Sequence, residues 1–519
     1  MSFRNTALAL AAIAGAANAQ VGTMLAPKFD INFPSTEVAR NPLNWLGANG
    51  PYAPGQNVYG ISNDVPEHCT VDMAYYISRH GSRYPDLGAY QGWVDMENRF
   101  NVNNGYNASG SLEFLTSWKT PLTNPALQIA NLSPTGNKEV FDMGYQLRTR
   151  YPHLYNEGDD LYVWANNYTR VLETAKLFVR GFLGVNATEL GHVVSVTSKV
   201  YTDAIGNSLA PSDQCPRFND ASGGAWYTNW TNTYSAPIQQ RLQALITGNL
   251  TLTQNDVTQI PYLCGFESQI KGKLSPYCAV YTDLELQYYQ YANDLRYYYG
   301  VGPGTTLPAT MMLPWLSQVV ANLQTGPNQN GTAADGASAF NVPNLVVNFL
   351  NDGQLNELLT AAGVHDAQAP LSSSKMDPSR LYIGNRFTTM KGQVGIERLT
   401  CAAKPLSSNA TTTLVPLAQR TSGCSATTTK NKKFAKSTIN STYVRFLLND
   451  VVYPIPSCQN GPGYSCLLSD YADYVSDKYN ASGNWATNCG VTTSGAPSVV
   501  KGATFYNDLS SDFLRVLSP

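Results

Sequence analysis

The sequence carries little charge and no excess of either sign. Of its 519 residues 13% are Asp, Glu, Lys or Arg, and 34 basic against 36 acidic side chains leave a net charge of -2. Nucleic acids and anionic membranes call for a basic surface, so this balance argues against both as partners. Histidine is scarce. The five present, His68, His80, His153, His192 and His365, show no paired ligand spacing, and no Asp-rich loop occurs, so neither a metal site nor any other cofactor is expected. The nine cysteines include no CxxC pair, which removes zinc ribbons and dithiol redox motifs. No apolar run reaches the roughly 20 residues that cross a bilayer. Internal repeats and low-complexity tracts are absent too. What remains is a chain with 43% hydrophobic residues, long enough for one large layered domain plus a second domain or an insertion of similar size.

The first residues suggest export. A positive charge at Arg4, an apolar stretch from about Ala7 to Ala17 and the small residues Ala17 and Ala19 before Gln20 have the order of a secretory signal cleaved after Ala19. Sequons stand at Asn107, Asn131, Asn167, Asn186, Asn229, Asn249, Asn330, Asn409, Asn440 and Asn480, a density suited to a glycosylated extracellular or cell-wall protein. In that compartment the scattered cysteines read as disulfides with one thiol left over.

Along the chain, 20–67 is rich in Pro, Gly and Asn without a sustained period, which predicts an extended arm over the surface and a candidate contact to a neighbouring subunit in a homo-oligomer. The first strand is Thr70 to Ser78. A helix opens at Ser133-Pro134 and runs to about Arg150. Strand and helix follow at Leu161 to Asn166 and Arg170 to Leu183, where Val171, Ala175, Phe178 and Phe182 share one face. Val193 to Tyr201 alternates as a strand. From about Pro211 to Asn328 helices separated by polar loops, including Asp283 to Tyr299, predict an all-helical cap. Asn344 to Leu350 returns to strand, Gln354 to Ala362 to helix ended by Gly363, and Thr442 to Leu448 to strand.

The sharpest signal is Arg79-His80-Gly81-Ser82-Arg83-Tyr84-Pro85, directly after the first strand. An imidazole nitrogen can attack phosphorus and split hydrolysis into two easier steps. The transferring phosphoryl group spreads charge over three oxygens, which guanidinium forks at Arg79 and Arg83 can bind. Gly81 lets the backbone approach closely, and a strand end running toward a helix N-terminus suits an anion.

These residues, with NNYTRVLETAKLFVRGFLG around Arg170, Asn351-Asp352, GIERLTC ending at Cys401, STYVRFLLND and the Cys458 to Cys466 loop, resemble the histidine acid phosphatase family, in particular fungal secreted acid phosphatases and phytases. The resemblance covers most of the mature chain. It implies an α/β fold: a phosphoglycerate-mutase-like three-layer α/β/α domain with a mixed, mostly parallel sheet, plus an all-helical cap domain. The core would comprise 68–105, 155–205 and 335–519, with cap insertions at 106–154 and 206–334. It implies a phosphate pocket of Arg79, Arg83 and Arg170, with His80 as the nucleophile forming a phosphohistidine. It implies the disulfides Cys69–Cys401, Cys215–Cys489, Cys264–Cys278 and Cys458–Cys466, leaving Cys424 over.

One departure stands out. The family carries a His-Asp pair between a strand and a helix, the Asp protonating the leaving oxygen. The literal pair here, His365-Asp366, follows a helix, whereas Asn351-Asp352 sits between strand and helix, so Asp352 is the expected general acid and Asn351 a neutral donor in place of the imidazole. An acidic pH optimum follows. Two readings stay open: an active phosphatase, or an inactive or weakly active phosphate-binding homologue, because losing one transition-state donor costs about 3 kcal/mol. A phosphoglycerate-mutase-like enzyme shares the Arg-His-Gly core, but secretion, the Arg83-X-Pro85 extension and the helical insertion argue against it. The expected substrates are small-molecule phosphate monoesters. No lysine follows the loop in Asp86 to Trp93, which favours broad specificity, with phytate as a candidate substrate at low pH.

Overall fold

The computed structural model describes residues 41–403, 414, 416–417 and 436–519. The leader at 1–19, the sequon Asn409 and the odd cysteine Cys424 lie outside the described residues.

Nine strands form one sheet. They are β1 (Cys69–Arg79), β2 (Leu161–Asn166), β3 (Gly191–Val196), β4 (Leu345–Leu350), β5 (Gln393–Ala403), β6 (Lys436–Leu448), β7 (Val451–Tyr453), β8 (Cys466–Leu467) and β9 (Leu514–Leu517). Their order is β7-β6-β5-β1-β4-β2-β3-β9, with β8 paired to β6. The central strands β1, β4, β2 and β3 run parallel, and the flanking strands pair antiparallel. Such a centre must be covered on both faces, and β4 is buried along its whole length.

Successive residues of β1 serve opposite faces. On one face Ala74 and Tyr76 meet the helices α2 (Pro134–Arg150) and α3 (Thr169–Leu183) through Val140, Met143, Leu147, Val171, Ala175 and Phe178. On the other, Met73, Tyr75 and Ile77 belong to the cluster containing residues of α7 (Leu313–Thr325), α8 (Asp352–Ala361) and α9 (Leu468–Ser482). That is a three-layer α/β/α arrangement. The same cluster runs on into α1 (Leu87–Arg99), α4 (Gly224–Gln243), α5 (Gln254–Lys271) and α6 (Asp283–Gly300). No helix of the described residues is long and apolar enough to cross a membrane.

Four disulfides join Cys69 to Cys401, Cys215 to Cys489, Cys264 to Cys278 and Cys458 to Cys466. The first links β1 to its neighbour β5, where the two cysteines face each other in register.

Three sequence expectations change. The 106–154 stretch is not all cap, because α2 turns its apolar stripe to the sheet and crosses α3 closely: a Cβ on Gly181 would lie 2.0 Å from the Phe141 carbonyl oxygen. The strand expected to reach Tyr201 stops at Val196, the chain turning at Val200 with φ +80°. The arm is not wholly superficial, since Leu43 and Leu46 are buried in the main core.

Candidate active site

The site forms where β1 and β4 end side by side. Arg79 pairs in register with Leu350, and the His80 N–H donates to the Leu350 carbonyl across 3.1 Å. The loop after β1 therefore lies beside the start of α8. Its own path is held from behind. Glu139 of α2, itself buried, accepts from the Ser82 N–H at 2.9 Å, the Ser82 hydroxyl at 3.0 Å and the Tyr52 N–H at 3.1 Å. Burial raises the Glu139 carboxyl's pKa, the donors from Ser82 and Tyr52 opposing it. Gly81 fits because a Cβ there would come within 2.7 Å of the Gly136 carbonyl oxygen, at the first turn of α2.

His80 is 1% exposed. Its Nδ1 lies 2.9 Å from the Gly81 carbonyl, so Nδ1 carries the proton and Nε2 keeps its lone pair. Burial first, then Arg79, Arg170 and Arg83, hold its pKa well below the usual imidazole value. Burial and the three arginines thus both favour the neutral ring over the imidazolium.

Arg79 is fixed by two backbone carbonyls, Ala48 at 2.7 Å and Thr388 at 2.8 Å, both on Nη1. Its Nη2 lies 3.2 Å from Oδ2 of Asp352. Arg83 donates to the Tyr84 carbonyl and stands 5.5 Å from the centre of the Phe266 ring. The Nε groups of Arg79, Arg83 and Arg170 are buried without partners. Arg170, near the start of α3, donates from Nη2 to Oδ1 of Asn351 at 3.0 Å. Burial and then Arg83 bring its pKa down to about 10, against the attraction of Asp352. Three guanidinium groups this close repel one another, and an anion between them would relieve that repulsion.

Asn351 takes the N-cap position of α8 without capping it, its side chain being turned to Arg170. The helix begins at Asp352, two residues before the expected start. Asp352 accepts from the Tyr297 hydroxyl at 2.5 Å. Burial pushes its carboxyl upward, but Arg79, the Tyr297 hydrogen bond, His80 and Arg83 together outweigh this and hold it well below the usual carboxylate range.

Arg79, Arg83, Asn351 and Asp352 line one part of a cleft of about 450 Å³. His365 is elsewhere: it is buried against Tyr382 and Phe387, and burial lowers its pKa to about 3, while Asp366 accepts from Tyr474 and Lys478. Sequence reasoning missed Tyr297, Glu139 and the Ala48 and Thr388 carbonyls. Asn107, Asn167, Asn186, Asn229, Asn249, Asn330, Asn440 and Asn480 are exposed, and Asn131 is half-buried.

A phytase of Candida albicans is 28% identical to this chain over 475 residues, covering 90% of each chain. An acid phosphatase of Komagataella pastoris is 30% identical over 492 residues, covering 92% of each. The crystal structure of the phytase from D. castellii superposes with a TM-score of 0.73 at 24% identity, over 92% of this chain and 93% of that one. The model of the histidine phosphatase superfamily (branch 2) matches residues 70–449. The chain belongs to that branch of the histidine phosphatase superfamily.

Proposed function

We propose that the protein is a secreted acid phosphatase that hydrolyses phosphate monoesters through a phosphohistidine on His80. Nε2 attacks phosphorus as the ester P–O bond breaks, and Asp352 gives its proton to the departing alkoxide. Water then attacks phosphorus, the P–N bond breaks, and Asp352 takes the proton from that water. Arg79, Arg83 and Arg170 bind the non-bridging oxygens, and Asn351, its carbonyl committed to Arg170, offers its amide hydrogens to one of them.

The observation that carries this reading is the setting of His80: a buried ring among three arginines that favour its neutral form, its Nδ1 at the Gly81 carbonyl. Export is supported by the leader pattern, the four disulfides and the exposed sequons. Broad specificity is supported by a cleft that, beyond its arginines, presents carboxylates and no lysine, with phytate as one substrate at low pH.

The test is turnover of p-nitrophenyl phosphate in acid, with rapid alkaline quench of labelled substrate, because the P–N bond survives in base. The wild type should trap label on His80, and His80→Ala should lose at least about 10³-fold in kcat. An alanine variant that turns over normally, with no trapped label, refutes the mechanism.

A further inference from the structure

Past the phosphate pocket the cleft continues along a second wall, formed by the 211–223 segment and the first turns of α8. Asp220 presents its carboxylate there, as does Asp213, which also accepts from the Tyr168 and Ser198 hydroxyls and attracts Lys199; Asp86 lines the cleft from the N-cap of α1, and Arg296 is the one cation lining it among the described residues apart from Arg79 and Arg83. Arg296 is itself drawn toward Asp220 and Asp352.

Two buried side chains on this wall hold acceptors without a well-formed partner, the Ser212 hydroxyl being the donor nearest Glu357. Gln354 is 7% exposed and Glu357 is fully buried, yet Oε1 of Gln354 and both carboxyl oxygens of Glu357 have no hydrogen-bond partner. The Gln354 amide nitrogen is spent on the Ser212 hydroxyl, 3.1 Å away, which fixes Oε1 as the open end. Buried acceptors are rarely left so. Three residues apart on one helix, Gln354 and Glu357 share a face, and both line the cleft. Burial first, then Asp213 and Asp220, raise the Glu357 pKa to about 8, with Ser212 opposing, so the wall favours any ligand that brings positive charge and N–H donors.

We infer that this wall is a leaving-group subsite for a protonated amine, which makes phosphate monoesters of short amino alcohols preferred substrates. The inference rests on the phosphatase reading above. Asp352 and Glu357 line the same cleft, so an ammonium on a leaving group whose ester oxygen is at Asp352 would face this wall.

The experiment compares phosphoethanolamine with n-propyl phosphate, its uncharged isostere, at pH 5, where ordinary carboxylates are ionised and a primary amine is protonated. The readout is the ratio of kcat/KM values within each protein, which a general loss of activity does not move. The wild type should prefer the ammonium ester by about tenfold, and Asp220→Asn and Gln354→Leu should each bring the ratio to about threefold or less. A wild-type ratio near one, with n-propyl phosphate turned over normally, overturns the subsite and leaves the phosphatase reading standing. A high ratio untouched by both substitutions overturns its assignment to these residues. Failure to turn over either ester or p-nitrophenyl phosphate overturns the underlying reading, and the subsite with it.

Discussion

The hydroxyl of Tyr297 donates to Oδ2 of Asp352 across 2.5 Å, joining helix α6 of the insertion to the first residue of α8. Arg79 faces the same oxygen at 3.2 Å, and Oδ1 accepts from the Gly353 N–H. The carboxyl is therefore held ionised while the pocket is empty. On the proposed mechanism, a phosphate dianion against Arg79 offsets that guanidinium's pull and lifts the Asp352 pKa, so the acid gains its proton when substrate is bound.

Tyr297→Phe removes a hydrogen bond that lowers the Asp352 pKa, so that pKa should rise. The alkaline limb of the kcat profile should move to higher pH by several tenths of a unit to about one unit. Profiles of both proteins on p-nitrophenyl phosphate check this. An unmoved limb, or one displaced to lower pH, removes Asp352 from the role of acid.

Asn351→His restores the ring usual in the family beside Arg170. Three nearby guanidinium groups disfavour its protonation, so any gain belongs to the acid side. kcat/KM should rise several-fold, up to about tenfold, below pH 5 and stay flat near pH 7. Equal rates at all pH values would show that the amide does the imidazole's work.

Glu357 links stability to pH. Its pKa is raised to about 8 in the folded protein against an unfolded value near 4.3, so between these the native state holds a proton that the unfolded chain has released. Stability from this group is complete below about pH 4 and is lost as pH rises toward 8, at no more than about 1.4 kcal/mol per pH unit. Glu357→Gln should flatten that slope. Denaturant midpoints at pH 4, 6 and 8 measure it, and parallel slopes in the two proteins would mean that Glu357 is ionised in the fold.

The Arg79 to Pro85 loop was legible because its chemistry is local: a β-branched and aromatic strand, then a nucleophile between two guanidinium groups. Asn351-Asp352 could be placed because a buried apolar run and a helix bracket it, although the helix start was set two residues late. Tyr297 could not be found, since one tyrosine in a helix rich in them carries no mark of the carboxylate it will meet. Nor could the two acceptors on Arg79, because backbone carbonyls have no side-chain signature. Glu357 read as an ordinary helical glutamate. Its meaning comes from burial, which depends on the 211–223 segment folding over it.

Arg79 draws one of its two backbone anchors, the Ala48 carbonyl, from outside the span that the family model matches, 70–449. A fragment trimmed to that span would retain every residue of the RHGSRYP signature and all of β1 but Cys69, yet would lose the peg that aims one guanidinium. On the proposed mechanism the grip on phosphate is thus partly the work of a short N-terminal stretch that carries none of the chemistry, and the smallest competent unit would be longer than the motif map suggests.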